Sequence, residues 1–251
     1  MKKNLTIKSP YNSTYYNSIK DGSYSSAEII SKMIFNLLKP HSLIDFGCGN
    51  GTWIKAFASL GVNELLGIDG DYVKKENLLI DPKFFRPYDL SKKFRTPKKY
   101  DLAISLEVAE HLEKKYAEQF IENIINHSDI ILFSAATPGQ GGVEHLNEQQ
   151  ISYWAEKFFN HGYIPFDFIR KKLKDFKNIE PWYLYNTLLY IKEPIVSNFP
   201  DLYEFRISNI KEIEDLRSLN WKIRCYLLKH LPYFAVNNLA KLKHKIRNGI
   251  F

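Results

Sequence analysis

The chain contains little cysteine and no long apolar run, and both absences limit its class. Two of its 251 residues are cysteines, Cys48 and Cys225, and Cys48 lies within a glycine-rich segment, so we expect no structural disulfide. No segment approaches the roughly 20 consecutive apolar residues of a transmembrane helix. The segment Met1–Leu5 has no apolar core, so we do not expect a signal peptide there. We therefore expect a cytoplasmic protein.

Acidic residues are absent after Asp215, whereas basic and apolar residues alternate there. Such a tail can form amphipathic helices that lie on an anionic membrane surface, at its inner face, or contact another protomer. Alternatively, the helices pack on the body of the protein and present a solvated basic face. The tail supplies most of the formal charge of +7, so this charge does not indicate a nucleic-acid partner. Its basic residues are Arg217, Lys222, Arg224, Lys229, Lys241, Lys243, Lys245 and Arg247.

The most informative segment of the chain runs from Leu43 to Phe57. A short apolar run ends at an acid, three alternate glycines follow, and Trp53–Phe57 has the composition of a helix. Glycines are used where the backbone needs positive φ or where a ligand must touch the main chain. A helix start also offers free N–H groups to an anionic ligand. The spacing is G-x-G-x-G, whereas a dinucleotide site requires G-x-G-x-x-G.

This motif resembles the first motif of class I S-adenosylmethionine (SAM) dependent methyltransferases, in which the acid and the loop hold the methionine end of SAM. Asp69 ends a second apolar run about 20 residues later, a distance at which a carboxylate reaches a ribose; it could instead cap a turn. Asp89 matches the family's adenine loop, although it could be a plain helix cap. The resemblance implies a cofactor-binding set of Asp45, Phe46, Gly47, Gly49, Asn50, Gly51, Trp53, Asp69, Gly70, Asp89, Leu90 and Glu107.

Periodicity predicts the same architecture. Strands are predicted near 42–46, 64–69, 101–106 and 129–134, and segments 166–170 and 181–191 resemble closing antiparallel strands. Ser25 and Glu28 form a capping-box pattern ahead of an apolar helix face. Strand–helix alternation implies a mostly parallel sheet. The resemblance implies a Rossmann-like α/β fold, a seven-stranded sheet with helices on both faces.

We divide the chain into two parts. Residues 1–192 are predicted to form the methyltransferase domain, and residues 193–251 a basic helical C-terminal extension. Residues 1–24 are rich in tyrosine and could form a lid over SAM or substrate, or could pack on the sheet. The tyrosines concerned are Tyr11, Tyr15, Tyr16 and Tyr24.

A third constellation follows the predicted strand 101–106. Glu107, Glu110 and His111 are spaced i, i+3 and i+4, so a helix would present all three on one face. With His145 they resemble the magnesium site of small-RNA 3′-end 2′-O-methyltransferases, and the E-x-x-E-H part also resembles ubiquinone-pathway O-methyltransferases. The resemblance implies a divalent metal, Mg²⁺ or Mn²⁺, that activates a substrate hydroxyl. In a metal-free alternative, Glu107, Glu110 and His111 only shape and orient the site.

His145 has a second role open to it. Imidazole titrates near working pH, so His145 could be the general base that removes the acceptor's proton. The catalytic candidates are therefore His145, Glu107 and His111, with His145 as a plain loop residue as the remaining alternative. The other histidines lack such neighbours and are expected to be surface or packing residues.

The segment around Gly139–Gln149 carries a resemblance to methyltransferases of bacterial surface-glycan and natural-product pathways. It implies O-methylation of a sugar, or of a phosphoryl-linked group, in a capsule or lipopolysaccharide precursor. Alternatives are an RNA ribose 2′-O-methyltransferase, a small-molecule O-methyltransferase of natural-product or quinone type, and a non-enzymatic SAM-fold protein. Polar candidates for substrate contact are Gln140, Asn147, Glu148 and Gln149, and aromatic candidates are Trp154, Trp182 and Tyr183, each of which could instead be a core residue.

Overall fold

The computed structural model describes residues 13–247, with side chains described from residue 22 onward except at 244, 245 and 247. A seven-stranded sheet forms its centre, in the order β3-β2-β1-β4-β5-β7-β6. All neighbouring strands are parallel except that β7 runs antiparallel to β5 and β6. The strands are β1 (Ser42–Phe46), β2 (Glu64–Asp69), β3 (Phe85–Pro87), β4 (Leu102–Leu106), β5 (Ile130–Ser134), β6 (Tyr163–Phe166) and β7 (Leu188–Lys192).

Helices connect the strands and cover the sheet. The part of the chain before β7 has α1 (Ser13–Leu38), α2 (Thr52–Ser59), α3 (Ala117–Ile125), α4 (Ile151–Asn160), α5 (Phe168–Leu173) and α6 (Pro181–Asn186). Two buried apolar clusters pack against the sheet. Ile30, Ile34, Ile54 and Phe57 belong to one cluster, and Phe120 to the other. The predicted Rossmann-like fold is confirmed, because buried apolar strands alternate with amphipathic helices.

The four predicted parallel strands are observed within one residue, but three local predictions are wrong. Residues 168–173 form α5, and residues 181–186 form α6, so the closing strands are shorter than predicted. Strand β3 lies in the segment predicted as a loop. Ser25 does not cap a helix, since α1 begins twelve residues earlier and the Ser25 hydroxyl donates to the carbonyl of Asn178.

The chain after β7 forms 3₁₀ turns and then two helices, α7 (Leu219–Lys229) and α8 (Tyr233–Arg247). The helical character predicted for the C-terminal part is therefore present. The boundary at residue 192 stays a prediction. Within residues 13–247, no helix combines the length and apolarity needed to cross a membrane.

Candidate functional site

The carboxyl ends of β1, β2, β4 and β5 meet at one edge of the sheet, the edge at which open α/β sheets bind ligands. The glycine loop follows β1 there. Gly47, Gly49 and Gly51 all have positive φ (87°, 53° and 85°). A Cβ atom on Gly47 would lie 2.3 Å from Cγ2 of Val108, so only glycine fits between the loops after β1 and β4. Gly51 stands at the N-cap of α2.

Two cavities open at this edge and share Gly47, Gly49, Glu107 and His111 in their walls. The Asp69 cavity, about 840 Å³, lies along the ends of β2 and β3. The Trp53 cavity, about 460 Å³, lies between the glycine loop, the loop after β5 and the C-terminal helices. Both volumes are within the range of small-ligand sites.

Besides the shared Gly47, Gly49 and Glu107, four predicted cofactor residues line the Asp69 cavity: Asp69, Gly70, Asp89 and Leu90. The Asp69 carboxylate accepts from the amides of Gly49 and Gly70, both at 2.7 Å, and from the Tyr72 hydroxyl. Burial raises the pKa of Asp69, and these three hydrogen bonds oppose the rise. Asp69 therefore links the glycine loop to β2, and an arriving ribose would compete with the Tyr72 hydroxyl.

Asp89 closes a turn, because its Oδ1 accepts from the amide and hydroxyl of Ser91. Asp89 lines the Asp69 cavity. It is not a helix cap, because no helix begins there.

Three members of the predicted cofactor set, Asp45, Phe46 and Gly51, line neither cavity. Phe46 was expected to bind the cofactor, but its fully buried ring packs edge-on against Phe94, Phe120 and His127 in the core. Strand alternation explains the difference, since neighbours on a strand point to opposite faces. Asp45 lies buried beneath the loop, and its Oδ2 atom has no hydrogen-bond partner among the described residues. Burial first, and then the charge of Asp69, raise its pKa.

Asn50 and Trp53 line the Trp53 cavity, as the resemblance implied. The Trp53 ring packs edge-on against Tyr183, with centroids 5.1 Å apart. Gly51 itself is not in either wall, and a Cβ atom there would lie 2.8 Å from Ile80. Its contribution is to the shape of the loop.

Glu107 stands at the junction of the two cavities. Its φ of 58° is unusual for a residue with a side chain, and such conformations cluster at functional sites. Its carboxylate accepts from Nε2 of Gln140 at 2.6 Å and from Nδ2 of Asn186 at 3.2 Å. Burial raises the pKa of Glu107, and these donors oppose that rise. The predicted helical face is wrong, because the positive φ at Glu107 is followed only by a 3₁₀ turn over Ala109–His111.

Three of the four predicted metal ligands nevertheless meet. Glu110, His111 and His145 each offer one ligand atom, and these atoms lie within 4.8 Å of one another. The two imidazole rings cross at 90° with centroids 4.9 Å apart. Glu107 is not part of this cluster, because its carboxylate turns to Gln140 and Asn186 instead. We call Glu110, His111 and His145 the EHH cluster.

Glu110 is the most deeply buried member of the EHH cluster. The Glu110 side chain is 0% exposed, and neither of its carboxylate oxygens has a hydrogen-bond partner among the described residues. Burial, followed by the charge of Glu107, raises the pKa of Glu110 well above its usual range. Burial lowers the pKa of His111 to about 3, which keeps its imidazole neutral. Buried polar groups normally have partners, so a carboxyl group in this position is an unusual feature of the site.

His145 is oriented by a carboxylate. Its Nδ1 atom lies 2.9 Å from Oε1 of Glu148, and Glu148 also accepts from the amides of Gly139 and Gly141. The Nε2 atom of the same ring lies 2.0 Å from the place where a Cβ on Gly142 would be. Glycine at 142 therefore leaves room for the imidazole.

The C-terminal helices form one wall of the Trp53 cavity. Arg224 donates from Nη1 to the carbonyl of Gln140 at 2.6 Å, and Asn237 accepts from the amide of Glu144 at 3.2 Å. A Cβ atom on Gly139 would lie 2.1 Å from the Cys225 carbonyl oxygen. The cavity residues from these helices are Trp221, Arg224, Leu228, Val236, Leu239, Ala240 and Lys243.

The candidates for substrate contact divide in the structure. Trp154 is a core residue that packs against Phe133, which is the alternative to sugar stacking that the sequence left open for it. Trp182 and Tyr183 line the Trp53 cavity. Of the polar candidates, Gln140 lines the cavity while bonding Glu107, and Glu148 orients His145. Asn147 and Gln149 bond to each other.

Several site residues were not predicted from the sequence. Tyr72 bonds Asp69, Ser23 bonds the Tyr183 hydroxyl at 3.2 Å, and Arg224 reaches the site from the tail. These contacts join residues far apart in the chain or depend on the turn geometry, which no spacing pattern indicates. The predicted lid over residues 1–24 is described only in part: Tyr11 lies outside the described residues, and so do the side chains of Tyr15 and Tyr16. Tyr24 packs beside Lys55, whose Nζ atom lies 5.3 Å from the centroid of the tyrosine ring.

The architecture and site agree with comparisons to known proteins. KedS8, a sugar N-methyltransferase from a Streptoalloteichus species, is similar with a TM-score of 0.54 at 11% identity, over 71% of this chain and 90% of that one. Streptomyces venezuelae DesVI gives 0.52 at 11% identity, over 70% and 94%. Human N-acetylserotonin methyltransferase in complex with SAM gives 0.51 at 16% identity, over 71% and 55%. These similarities establish the fold.

No curated protein sequence matches the chain. A family model described as a methyltransferase domain matches residues 19–173, which is more than half of the chain. That match spans the glycine loop, Asp69, Glu107 and the EHH cluster. The chain therefore belongs to this methyltransferase-domain family and is a SAM-dependent methyltransferase.

Proposed function

We propose that this protein transfers the methyl group of SAM to an oxygen of a sugar, or of a phosphoryl-linked group, in a surface-glycan precursor or decoration. The observation that carries the proposal is the EHH cluster, placed in the wall of the Trp53 cavity beside the glycine loop. An oxygen acceptor must lose a proton, and this cluster brings imidazoles and a carboxylate to the place where that proton would leave.

SAM would span the two cavities. Its adenosine would lie in the Asp69 cavity, with the ribose at Asp69 and the adenine near Asp89 and Leu90. Its methionine end would follow Gly47 and Gly49 toward Trp53, over the buried carboxylate of Asp45. Glu107, at the junction, would then lie beside the sulfonium group, where a carboxylate favours positive charge.

The acceptor would enter the rest of the Trp53 cavity. Trp182 and Tyr183 offer aromatic walls, and aromatic rings stack on the apolar face of a sugar. Arg224 and Lys243 also line this cavity, and two cations suit an acceptor that carries a phosphoryl group. The alternative small-molecule acceptors would have to fill the same space without using this charge.

The transfer is an in-line displacement. The acceptor oxygen forms a bond to the methyl carbon, the carbon–sulfur bond breaks, and sulfur leaves with the electron pair as neutral S-adenosylhomocysteine. The acceptor's proton leaves to a base. The Nε2 atom of His145 can take it, because Glu148 holds the Nδ1 side of the ring. Positioning of the two substrates supplies much of the remaining acceleration.

The EHH cluster also fits a divalent metal. A buried carboxylate and two imidazoles are a donor set that Mn²⁺, Fe²⁺ or Zn²⁺ accepts readily and Mg²⁺ less so. Glu110, His111 and His145 would hold it, and Glu148 would orient His145 from behind. A bound metal would lower the pKa of an acceptor hydroxyl.

The proposal is tested by methyl transfer from labelled SAM to nucleotide sugars, capsule and lipopolysaccharide fragments and short RNAs, each with and without EDTA. Label on a glycan supports the proposed acceptor class. Loss of that label with EDTA supports the metal, whereas label that survives EDTA assigns His145 as a metal-free base. Label on RNA alone overturns the glycan proposal and favours the ribose 2′-O-methyltransferase, the second function that an EHH cluster suits.

A further inference from the structure

We propose that the outward face of α7 and α8 is a docking surface for an anionic phospholipid bilayer. The inward face of these helices closes the Trp53 cavity, so the helices have a structural task already. Their outward face carries an unusual combination of exposed apolar and basic side chains. We call it the outward face and define it by Leu219, Ile223, Tyr226, Leu227, Lys222, Lys229, Tyr233, Phe234, Lys241, Leu242 and Ile246.

Helix α7 is apolar on two opposite sides. Cys225 is buried and Leu228 lines the cavity, one turn apart on the inward side. Leu219, Ile223 and Leu227 recur at i, i+4 and i+8 on the other side, and they are 72%, 49% and 60% exposed. A helix that only covers the body of the protein needs one apolar stripe. The second stripe is left without a partner among the described residues.

Helix α8 and the turn before it extend this pattern. Tyr233 and Phe234 are exposed at the start of α8, and Leu242 and Ile246 lie one turn apart near its end. Clustered exposed apolar side chains mark an interaction surface, unlike scattered single ones. Aromatic residues at such a surface suit a membrane interface, where one end of the ring is apolar and the other is wet.

Charge identifies the partner. The part of the chain after Asp215 holds eight of the 35 Lys and Arg residues and none of the 28 Asp and Glu residues. Lys222 and Lys229 lie one turn from Tyr226 on α7, and Lys241 precedes Leu242 on α8. A basic face with apolar stripes lies in the headgroup region of anionic lipid, its apolar side chains inserted and its cations at the phosphates.

Two other occupants fit less well. Lys222 pairs with Asp215, but Lys229 and Lys241 have no acid within the outward face, so a second copy paired by two-fold symmetry would bring like charges of both protomers together. An RNA strand would use the cations and aromatic rings, but it would leave Leu219, Ile223 and Leu227 in water. The aliphatic stripe and the cations are both satisfied by anionic lipid.

The test is co-sedimentation of the full chain with vesicles of phosphatidylcholine, with and without phosphatidylglycerol. We expect binding to the anionic vesicles that weakens with salt and little binding to the neutral ones. Each lysine near an anionic surface contributes about 1 kcal/mol, or about five-fold in partition. The double variant Lys229→Gln/Lys241→Gln should therefore bind roughly 25-fold more weakly. Leu219→Ser/Leu227→Ser should also bind more weakly, with its helix content checked by circular dichroism.

The matched control is Lys171→Gln/Lys174→Gln, which removes the same charge from α5 and its C-cap and should retain most of the binding. Equal loss in the control would show that net charge alone acts and would overturn the proposal. Absence of binding to anionic vesicles would also overturn it, whether the chain then forms a concentration-dependent dimer in light scattering, binds a short RNA, or does neither. Because binding is read without turnover, its failure leaves the proposed methyl transfer untouched.

Discussion

Replacing Glu110 by Gln should abolish stabilisation by a divalent metal without unfolding the protein. The Glu110 carboxylate is 0% exposed and unpartnered among the described residues, and burial already favours its neutral form. Glutamine is neutral and nearly the same size. We therefore expect the metal-free variant to keep its free energy of unfolding within about 1 kcal/mol of the wild type.

The effect of metal can be worked out from mass action. At a Mn²⁺ concentration of about 100 Kd the wild type gains about 2.7 kcal/mol, which for a chain of this size raises Tm by roughly 5–11 °C. Loss of a residue that only orients a metal ligand weakens binding by about 10- to 100-fold, so loss of a ligand itself should raise Kd by about 100-fold. The gain at the same concentration then falls to about 0.4 kcal/mol, or about 1 °C.

The assay is thermal unfolding by circular dichroism with and without MnCl₂ after treatment with a chelator. The matched control is Glu113→Gln, which removes a nearby exposed carboxylate that pairs with Lys115 and should keep the full Mn²⁺ shift. An unchanged shift in Glu110→Gln would refute the assignment of Glu110 as a ligand. Absence of any shift in the wild type would refute the metal site itself.

Three further outcomes follow from other contacts. Gly142→Ala should displace the His145 ring and lower kcat while SAM binding persists. In the control Gly61→Ala, the added Cβ meets nothing within 4 Å, and the positive φ should cost only about 1–2 kcal/mol of stability. Equal kcat in both variants would contradict the role of His145. Asp69→Asn should weaken SAM binding about 10- to 100-fold in calorimetry, the loss expected for a charge-assisted hydrogen bond; unchanged affinity would remove it from the cofactor site. Nε2 of His127 accepts from the Thr96 amide, and burial lowers the pKa of His127, so the free energy of unfolding should fall as pH drops below about 6.5. The fall should be smaller in His127→Gln; urea unfolding at pH 7 and pH 5 that shows the same loss in wild type and variant would disprove this.

The fold could be predicted because its signals are local. Apolar runs that end in acids mark β1 and β2, and the glycine spacing marks the loop between β1 and α2. The closing strands were harder to predict, since 166–170 and 181–187 are apolar and aromatic enough for either structure. Pro181 at the start of α6 was the available signal for a helix there.

The sequence predicted which residues form the candidate site better than it predicted how they are arranged. Glu110, His111 and His145 meet as expected, but through a 3₁₀ turn and not on a helix face. Glu107 does not join the other three predicted metal ligands, because its left-handed backbone turns its carboxylate toward Gln140 and Asn186. Backbone conformation at one residue decides such a contact, and spacing cannot report it.

The contribution of the C-terminal helices could not be predicted from the sequence. The pattern of basic and apolar residues indicated helices, but Arg224 reaches the carbonyl of Gln140 across 84 residues. The approach of Cys225 to Gly139 depends on the same docking. Such contacts arise from tertiary packing, and no local pattern encodes their partner.

The central claim is that the methyl group goes to an oxygen of a glycan. The most direct measurement is NMR of the product made from SAM with a ¹³C-labelled methyl group and the acceptor found active in the panel. We expect a through-bond correlation from the labelled carbon, across oxygen, to a sugar-ring proton or a phosphorus atom. A correlation across nitrogen, or to the 2′ position of an RNA ribose, would contradict the account.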